Sequence, residues 1–258
     1  MQIMVYPPAM QGTGAFDGGR ITEQKPIGFP GERSVVKRVG PLFYWAWAFA
    51  KEEGFIGSHP HEAFEIITYV VNGEAEHGDS LGTRSVIGPG GLQVMQTGSG
   101  VSHQERFIGP DMEGFQIWFE PYLTEAVKRP PTYRGYEHEA FPLETGEGYT
   151  RKTVIGEGAP VRLVAEARMW DVEVSAGGTF RHTIAAGHTL TALAIRGGGT
   201  WSGTDEHTAS TAFQHKDFML LRADQDTDVK LEATGEESLR VILIEVPTVT
   251  DYPLIPKR

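Results

Sequence analysis

The sequence contains no cysteine. Disulfide bonds, catalytic thiolates and cysteine-ligated metal sites are therefore excluded, and the chain is compatible with a reducing cytosol. Basic residues are also scarce, because 23 Lys and Arg stand against 34 Asp and Glu and give a formal net charge of −11. Since that charge repels a phosphate backbone, we predict no direct binding to nucleic acid.

Long apolar runs are missing as well. The longest one, residues 41–50, has ten residues, whereas a membrane-spanning helix needs about 20. The first residues lack the basic stretch and apolar core of a secretory signal. We therefore expect a cytoplasmic protein that does not bind a membrane.

Glycine is abundant, with 32 residues, and proline adds 16. Short apolar stretches recur between these turn formers, a pattern typical of an all-β protein. In the first half, candidate strands cover residues 34–39, 65–71, 85–87, 92–95, 101–107 and 114–119. In the second half, they cover residues 161–170, 171–174, 179–183, 190–195, 218–221, 229–231 and 239–246.

The two halves show a weak internal repeat. Residues 68–76 align with 193–201, and each of these segments contains a turn with glycine. Residues 90–95 align with 216–221. Between the halves lies a segment rich in proline and charge without a sustained period. We predict two serial β-barrels, with an N-terminal metal-binding barrel over 1–122, a linker over 123–150 and a C-terminal barrel over 151–258.

Two histidine-bearing pairs point to a metal site in the first half. His59 and His61 are two residues apart, so on a strand they project from one face about 7 Å apart. His103 and Glu105 repeat this spacing on another predicted strand. If the strands face one another, three imidazoles and one carboxylate meet, which suits a divalent first-row metal such as Fe, Mn, Ni, Co, Cu or Zn.

Four protein ligands leave two positions of a six-coordinate ion open to water, dioxygen or substrate. Structural zinc sites are normally closed, so the open set favours redox or Lewis-acid chemistry. Glu65 shares the parity of the first histidine pair and is expected to point inward as well. It would serve as a partner of a ligand imidazole, as an acid or base in the pocket, or as a satisfied polar residue.

The motifs at residues 59–82 and 88–105 resemble the paired signature of the pirin family, a branch of the cupin superfamily. The resemblance implies a bicupin, that is, two serial cupin barrels of the jelly-roll type, with one iron in the N-terminal barrel. The ligands that it implies are His59, His61, His103 and Glu105, the same four that the spacing selects.

The resemblance also implies a function. Several pirins are similar to quercetin 2,3-dioxygenases, so we expect a metal-dependent dioxygenase that uses O2 to open a flavonol-like, enolizable aromatic substrate. Glu105 or Glu65 would accept the substrate's hydroxyl proton. The alternative is a non-enzymatic, iron-binding redox sensor that regulates a partner through protein contacts. A cupin isomerase or a sugar-binding module also fits the fold.

Other features are expected to be structural. Pirins usually carry Gly at the position of Ala63 and Trp at that of Val94. His77, Asp79 and Ser80 lie on a predicted hairpin, where such residues commonly bond backbone amides. The aromatic residues of 43–49 are predicted to pack in a core.

An alignment of the second half with the metal motif through its glycine turn places the first histidine pair near Thr183 and Ala185. The same alignment places His103 and Glu105 near Val229 and Leu231. Because these positions are mostly apolar, we expect the C-terminal barrel to bind no metal.

Overall fold

The computed structural model describes residues 1–204 and 209–257, and these residues are almost entirely β-strand and turn. The strands of the first half are β1 (Gln2–Tyr6), β2 (Gly12–Phe16), β3 (Ile21–Ile27), β4 (Leu42–Ala50), β5 (Glu53–His61), β6 (Glu65–Asp79), β7 (Arg84–Ile87), β8 (Leu92–Gln96), β9 (Val101–Phe119) and β10 (Thr132–Tyr136). Those of the second half are β11 (Leu143–Gly146), β12 (Tyr149–Ile155), β13 (Arg168–Val174), β14 (Thr179–Ile184), β15 (His188–Arg196), β16 (Gly199–Gly203), β17 (Thr211–Phe213), β18 (Phe218–Arg222), β19 (Thr227–Ala233) and β20 (Leu239–Pro247). The all-β bicupin prediction is confirmed.

Helix is scarce in the described chain. The α-helix α1 (Leu123–Ala126) has four residues, and three short 3-10 turns accompany it. No helix among the described residues is long and apolar enough to cross a bilayer.

The chain divides into two compact units. The N-terminal unit comprises Gln11–Ala140, Leu163–Ala165 and the described residues from Tyr252 onward. The C-terminal unit comprises Met1–Met10, Phe141–Arg162 and Glu166–Asp251.

These units differ from the predicted domains of 1–122 and 151–258. The first residues belong to the C-terminal unit because β1 pairs antiparallel with β18. Most of the predicted linker over 123–150 belongs to the N-terminal unit, where β10 pairs with β8, and the rest supplies β11. The linker prediction overlooked these strands, since each has only four or five residues.

The N-terminal unit is built around two long strands. Strand β6 has 15 residues and β9 has 19, and the two pair antiparallel through most of their length. The remaining strands continue the sheet in the order β10-β8-β6-β9-β4-β3-β2, with β5 beside β9 and β7 beside β6. A predicted strand at residues 34–39 is irregular chain instead.

Side chains of alternate parity on β6 fill the interior of this unit. Ile66 and Val70 belong to its buried apolar clusters, and Thr68 lies between them on the same face. One cluster consists of Phe43, Tyr44, Ala46, Ile66, Met95, Val101 and Trp118. Phe43, Tyr44, Trp45 and Trp47 of β4 are therefore buried, as predicted, whereas Phe49 is partly exposed.

The C-terminal unit has two sheets, with strand orders β1-β18-β15-β20-β13-β12-β11 and β14-β19-β16-β17. Its interior is a large apolar cluster that includes Phe180, Ile184, Trp201, Val229 and Leu231. The members of this cluster are aliphatic and aromatic side chains and one methionine, Met219.

Candidate metal centre

Three of the four predicted ligands converge in the N-terminal unit. His59 and His61 lie at the end of β5, and His103 lies near the start of β9, directly opposite His59 in the antiparallel register. One ligand nitrogen from each imidazole lies within 4.8 Å of the other two. The ring centroids are 4.5–4.8 Å apart, so the three rings surround one point that a metal ion could share.

The hydrogen bonds of the rings leave nitrogens free for that ion. His59 Nδ1 lies 2.8 Å from the carbonyl oxygen of Gly57. Because a carbonyl only accepts, Nδ1 carries a proton, and Nε2 is the nitrogen of His59 that can face an ion. Nε2 of His61 and both ring nitrogens of His103 are buried and have no hydrogen-bond partner among the described residues.

Buried polar atoms without a partner are costly, and a native structure usually satisfies them with water or an ion. Burial, followed by the neighbouring imidazoles, lowers the pKa of His61 to about 3. The pKa of His103 is also lowered to about 3, chiefly by burial and then by His59 and His77. Both rings are therefore neutral at physiological pH, the form that binds a metal. The three residues fit a divalent metal.

Glu105 follows two residues after His103 and is buried. Its carboxylate accepts hydrogen bonds from Thr68 Oγ1 at 3.0 Å, Gln93 Nε2 at 3.3 Å and Gln116 Nε2 at 2.6 Å. Thr68 lies on β6, directly opposite Gln93 of β8 on one side and Gln116 of β9 on the other. The carboxylate is not within the 4.8 Å group that the imidazoles form, and its role as a ligand stays a prediction.

Glu65 does not face the imidazoles, and the structure corrects this part of the sequence prediction. It begins β6, whereas the histidine pair ends β5, so the parity argument does not connect them. Within β6, Glu65 has the opposite parity to Thr68, which bonds Glu105. Its carboxylate instead accepts bonds from the amides of Val164 and Ala165 and from Gln96. Glu65 is a satisfied buried residue.

Asp79 of the hairpin bonds the backbone of a turn, and His77 packs beside the imidazole of His103. Asp79 Oδ1 accepts the amides of Leu81 and Thr83, as predicted for a turn. Its other oxygen lies 3.1 Å from His77 Nε2. His77 is buried, its ring is 5.4 Å from that of His103, and it stacks on Tyr133 at 4.3 Å. Ser80 Oγ accepts the amide of Ser102.

Several residues around the site escaped the sequence motifs. Tyr133 lies in the predicted linker, yet its hydroxyl donates to Gln93 Oε1 at 2.9 Å, which extends the network of Glu105. Trp118 packs against His61 with ring centroids 4.7 Å apart and planes at 89°. The available signal was a set of polar residues at inward positions of apolar strands, namely Thr68, Gln93 and Gln116.

Comparisons with known proteins agree with this geometry. The Pirin family model matches residues 46–119. A protein of Pseudomonas aeruginosa, provisionally named quercetin 2,3-dioxygenase, is 30% identical over 204 residues, which cover 74% of this chain and 70% of the relative. Quercetin 2,3-dioxygenase of Escherichia coli K12 is 27% identical over 184 residues, which cover 69% of this chain and 75% of that protein.

A solved structure shows the same fold over nearly the whole chain. The crystal structure of the bacterial pirin YhhW of Escherichia coli, in complex with nickel(II), superposes with a TM-score of 0.76 at 20% identity. The match covers 95% of this chain and 99% of that protein. At this level of identity, the likeness concerns the fold.

Proposed function

Because the chain belongs to the pirin family, we propose that it is a metal-dependent dioxygenase of the quercetin 2,3-dioxygenase type. Its metal is Fe(II), and its substrate is a flavonol-like aromatic with adjacent hydroxyl and carbonyl oxygens. The observation that carries the proposal is the group of three converging imidazoles, two of which, His61 and His103, have buried ring nitrogens without a hydrogen-bond partner among the described residues. The quercetinase relatives and the nickel(II)-bound pirin support it.

His59, His61 and His103 would hold the metal, and Glu105 would complete the set. A carboxylate offers about four lone-pair positions, and the bonds from Thr68, Gln93 and Gln116 occupy three of them. One position therefore remains for the ion. When bound, the metal supplies Lewis-acid and one-electron redox chemistry to the substrate oxygens and O2.

The residues around the ligands bind the substrate and move its proton. His59 and His61 are only partly buried, so the site is accessible from solvent. Trp118 and Phe64, with ring centroids 5.5 Å apart, offer an apolar surface beside His61 for a planar aromatic. Glu105 would accept the hydroxyl proton of the substrate at the one carboxylate position that its three hydrogen bonds leave open, when the ion does not use that position.

The test is turnover of a panel of flavonols by protein loaded anaerobically with Fe(II), Mn, Co, Ni or Cu. We expect loss of flavonol absorbance together with O2 uptake and carbon monoxide release. The His103→Ala variant serves as the control for metal-free background. One metal per chain with no turnover under any loading would contradict the enzymatic function and leave the metal site standing.

A further inference from the structure

A chain of aromatic rings leads away from the metal-binding imidazoles. Trp118 contacts His61 edge-on at 4.7 Å, and its other side packs against Tyr44, with ring centroids 5.7 Å apart and planes at 61°. Phe29 lies against both, at 4.0 Å from Tyr44 and 5.1 Å from Trp118. These separations are those of rings in contact.

The same tryptophan is linked to the proposed carboxylate ligand. Its indole nitrogen donates to Gln116 Oε1 at 3.2 Å, and Gln116 Nε2 donates to Glu105 at 2.6 Å. Trp118 therefore contacts one ligand through its ring and reaches a second through one hydrogen-bonded amide. A residue that only filled space would need neither link.

Tyr44 ends the chain beside a buried acid. It is fully buried, and its hydroxyl lies 3.4 Å from each carboxylate oxygen of Glu23. Glu23 pairs with Lys25 at 3.3 Å, and Lys25 pairs with Glu32 at 2.7 Å. Glu32 is partly exposed, so a line of charged groups joins the phenol to solvent.

Burial, followed by the charge of Glu23, raises the pKa of Tyr44 well above its ordinary value. The phenol is therefore protonated at physiological pH. Burial also raises the pKa of Glu23, even though Lys25 opposes the shift. A carboxylate with a raised pKa is a better proton acceptor than an ordinary one, and it is the group that touches this phenol.

We propose that Trp118 and Tyr44 form a one-electron relay that carries oxidising equivalents away from the metal-binding histidines and stores them as a neutral radical on Tyr44. The inference rests on the metal site proposed above. It adds a protective function to the dioxygenase, because a site that handles O2 without a bound substrate would otherwise oxidise its own ligands.

The oxidant of the relay is hydrogen peroxide, whose reduction to two water molecules takes two electrons and two protons. Fe(II) held by His59, His61 and His103 would supply hydrogen peroxide with one electron and become Fe(III), and Tyr44 would supply the second electron by way of Trp118. With two protons from solvent, the peroxide yields two water molecules. The phenolic proton of Tyr44 passes to the Glu23 carboxylate, so the products are a neutral tyrosyl radical and a neutral carboxyl group.

The experiment is electron paramagnetic resonance on Fe(II)-loaded protein that is mixed with hydrogen peroxide and frozen. The protein carries ring-deuterated tyrosine in a parallel sample, which identifies a tyrosyl signal by its narrowed hyperfine structure. The variants are Tyr44→Phe, Trp118→Phe and Glu23→Gln. Tyr69→Phe is the matched control. Tyr69 is also fully buried, but it follows Thr68 on β6 and its side chain therefore projects from the opposite face of the strand.

We expect a tyrosyl signal in the parent protein and in Tyr69→Phe, its loss in Tyr44→Phe, and a lower yield in Trp118→Phe and Glu23→Gln. Thermal melting and iron content are measured on each sample, since the conservative replacements should preserve both. An unchanged signal in Tyr44→Phe or Trp118→Phe, an equal signal without iron, or no tyrosyl signal with iron bound would overturn the relay. Failure to bind iron would overturn the metal site itself, and the relay with it.

Discussion

The two barrels place very different side chains on the same framework of strands. In the N-terminal unit, Gly90 N donates to the carbonyl of Val70. In the C-terminal unit, Lys216 N donates to the carbonyl of Ala194, so these pairs mark equivalent points of the two frameworks. Gly90 and Lys216 also share a positive φ, of 76° and 74°. From these points, the pairing registers of the strands give the residue of the C-terminal unit that is equivalent to each residue of the N-terminal site.

The four predicted metal ligands have only one polar counterpart in the second barrel. His59 pairs with His103 across β5 and β9, as His182 pairs with Val229 across β14 and β19. The residues at the four ligand positions of the C-terminal unit are therefore His182, Ile184, Val229 and Leu231. The sequence alignment placed the first histidine pair near Thr183 and Ala185, one residue beyond the positions that the strand register gives.

The row of donors that holds Glu105 is also replaced. Thr68, Gln93 and Gln116 correspond in register to Ala192, Met219 and Leu243, which are all fully buried in the apolar core. The lone His182 bonds Glu245 through Nε2 at 2.7 Å. The comparison teaches that the backbone does not determine the site, which needs both its ligands and the polar row behind them.

The largest expected effect is on metal affinity, and it should differ between His103 of the N-terminal unit and His182 of the C-terminal unit. Replacing His103 by Ala removes a ligand, so metal affinity should fall by more than the roughly 10–100-fold that loss of a ligand's partner costs. His182→Ala should keep the affinity of the parent protein. Metal content after dialysis and titration calorimetry check both, and equal losses in the two variants would show that the site is misplaced.

The next effect tests the row of donors. Gln116→Leu copies Leu243 of the second barrel and leaves Glu105 without its shortest hydrogen bond. We expect metal affinity to fall by about 10–100-fold, with the fold intact. Gln104→Leu is the control on the same strand, because Gln104 lies between His103 and Glu105 and its side chain projects from the opposite face of the strand. Unchanged affinity in Gln116→Leu would mean that Glu105 needs no support from this row.

The grouping of His59, His61 and His103 was predictable from sequence, because i and i+2 spacing on a strand is a local property. The two histidine pairs needed only the assumption that their strands meet, and β5 does pair with β9. The supporting residues were not predictable in this way. Thr68, Gln93 and Gln116 lie on three strands far apart in sequence, and only the sheet register brings them together.

The errors have the same origin. The sequence prediction applied one strand parity to the histidine pair and to Glu65, whereas the chain turns at residues 62–64 between β5 and β6. That turn changes the face to which Glu65 belongs. Tyr133 was assigned to a linker because β10 has only five residues and exposed positions, and its pairing with β8 is a long-range contact that local periodicity does not report.

A third prediction concerns the polar pair of the C-terminal barrel. Burial favours the neutral form of Glu245, but His182, the amide of Ala185 and Arg168 together lower its pKa below 4.5. A depressed folded-state pKa stabilises the protein above pH 4.5, and this contribution is lost as the pH falls through the lower value. Glu245→Gln should therefore cost about 1.5–3 kcal/mol at neutral pH.

The difference between Glu245→Gln and the parent protein should shrink below pH 4.5, as measured by urea unfolding at neutral and acidic pH. The control is Glu166→Gln. Glu166 also bonds a histidine, His188, but its side chain is 63% exposed, so the change should cost less than about 1 kcal/mol. A penalty for Glu245→Gln that does not vary with pH would show that its charge is unimportant.

The smallest expected effect comes from one turn that both barrels share. Ala63, between β5 and β6, has φ of +69°, and Gly187, between β14 and β15, has φ of +72°. This left-handed conformation strains alanine by roughly 1–2 kcal/mol, partly offset by the greater chain entropy that glycine loses on folding. Ala63→Gly should therefore stabilise the protein by about 0.5–1 kcal/mol, and Gly187→Ala should destabilise it by a similar amount.

A Cβ at Gly187 would meet no atom within 4 Å, so the backbone alone sets that cost. Urea midpoints check both variants, and shifts of the same sign would mean that the turns are not equivalent.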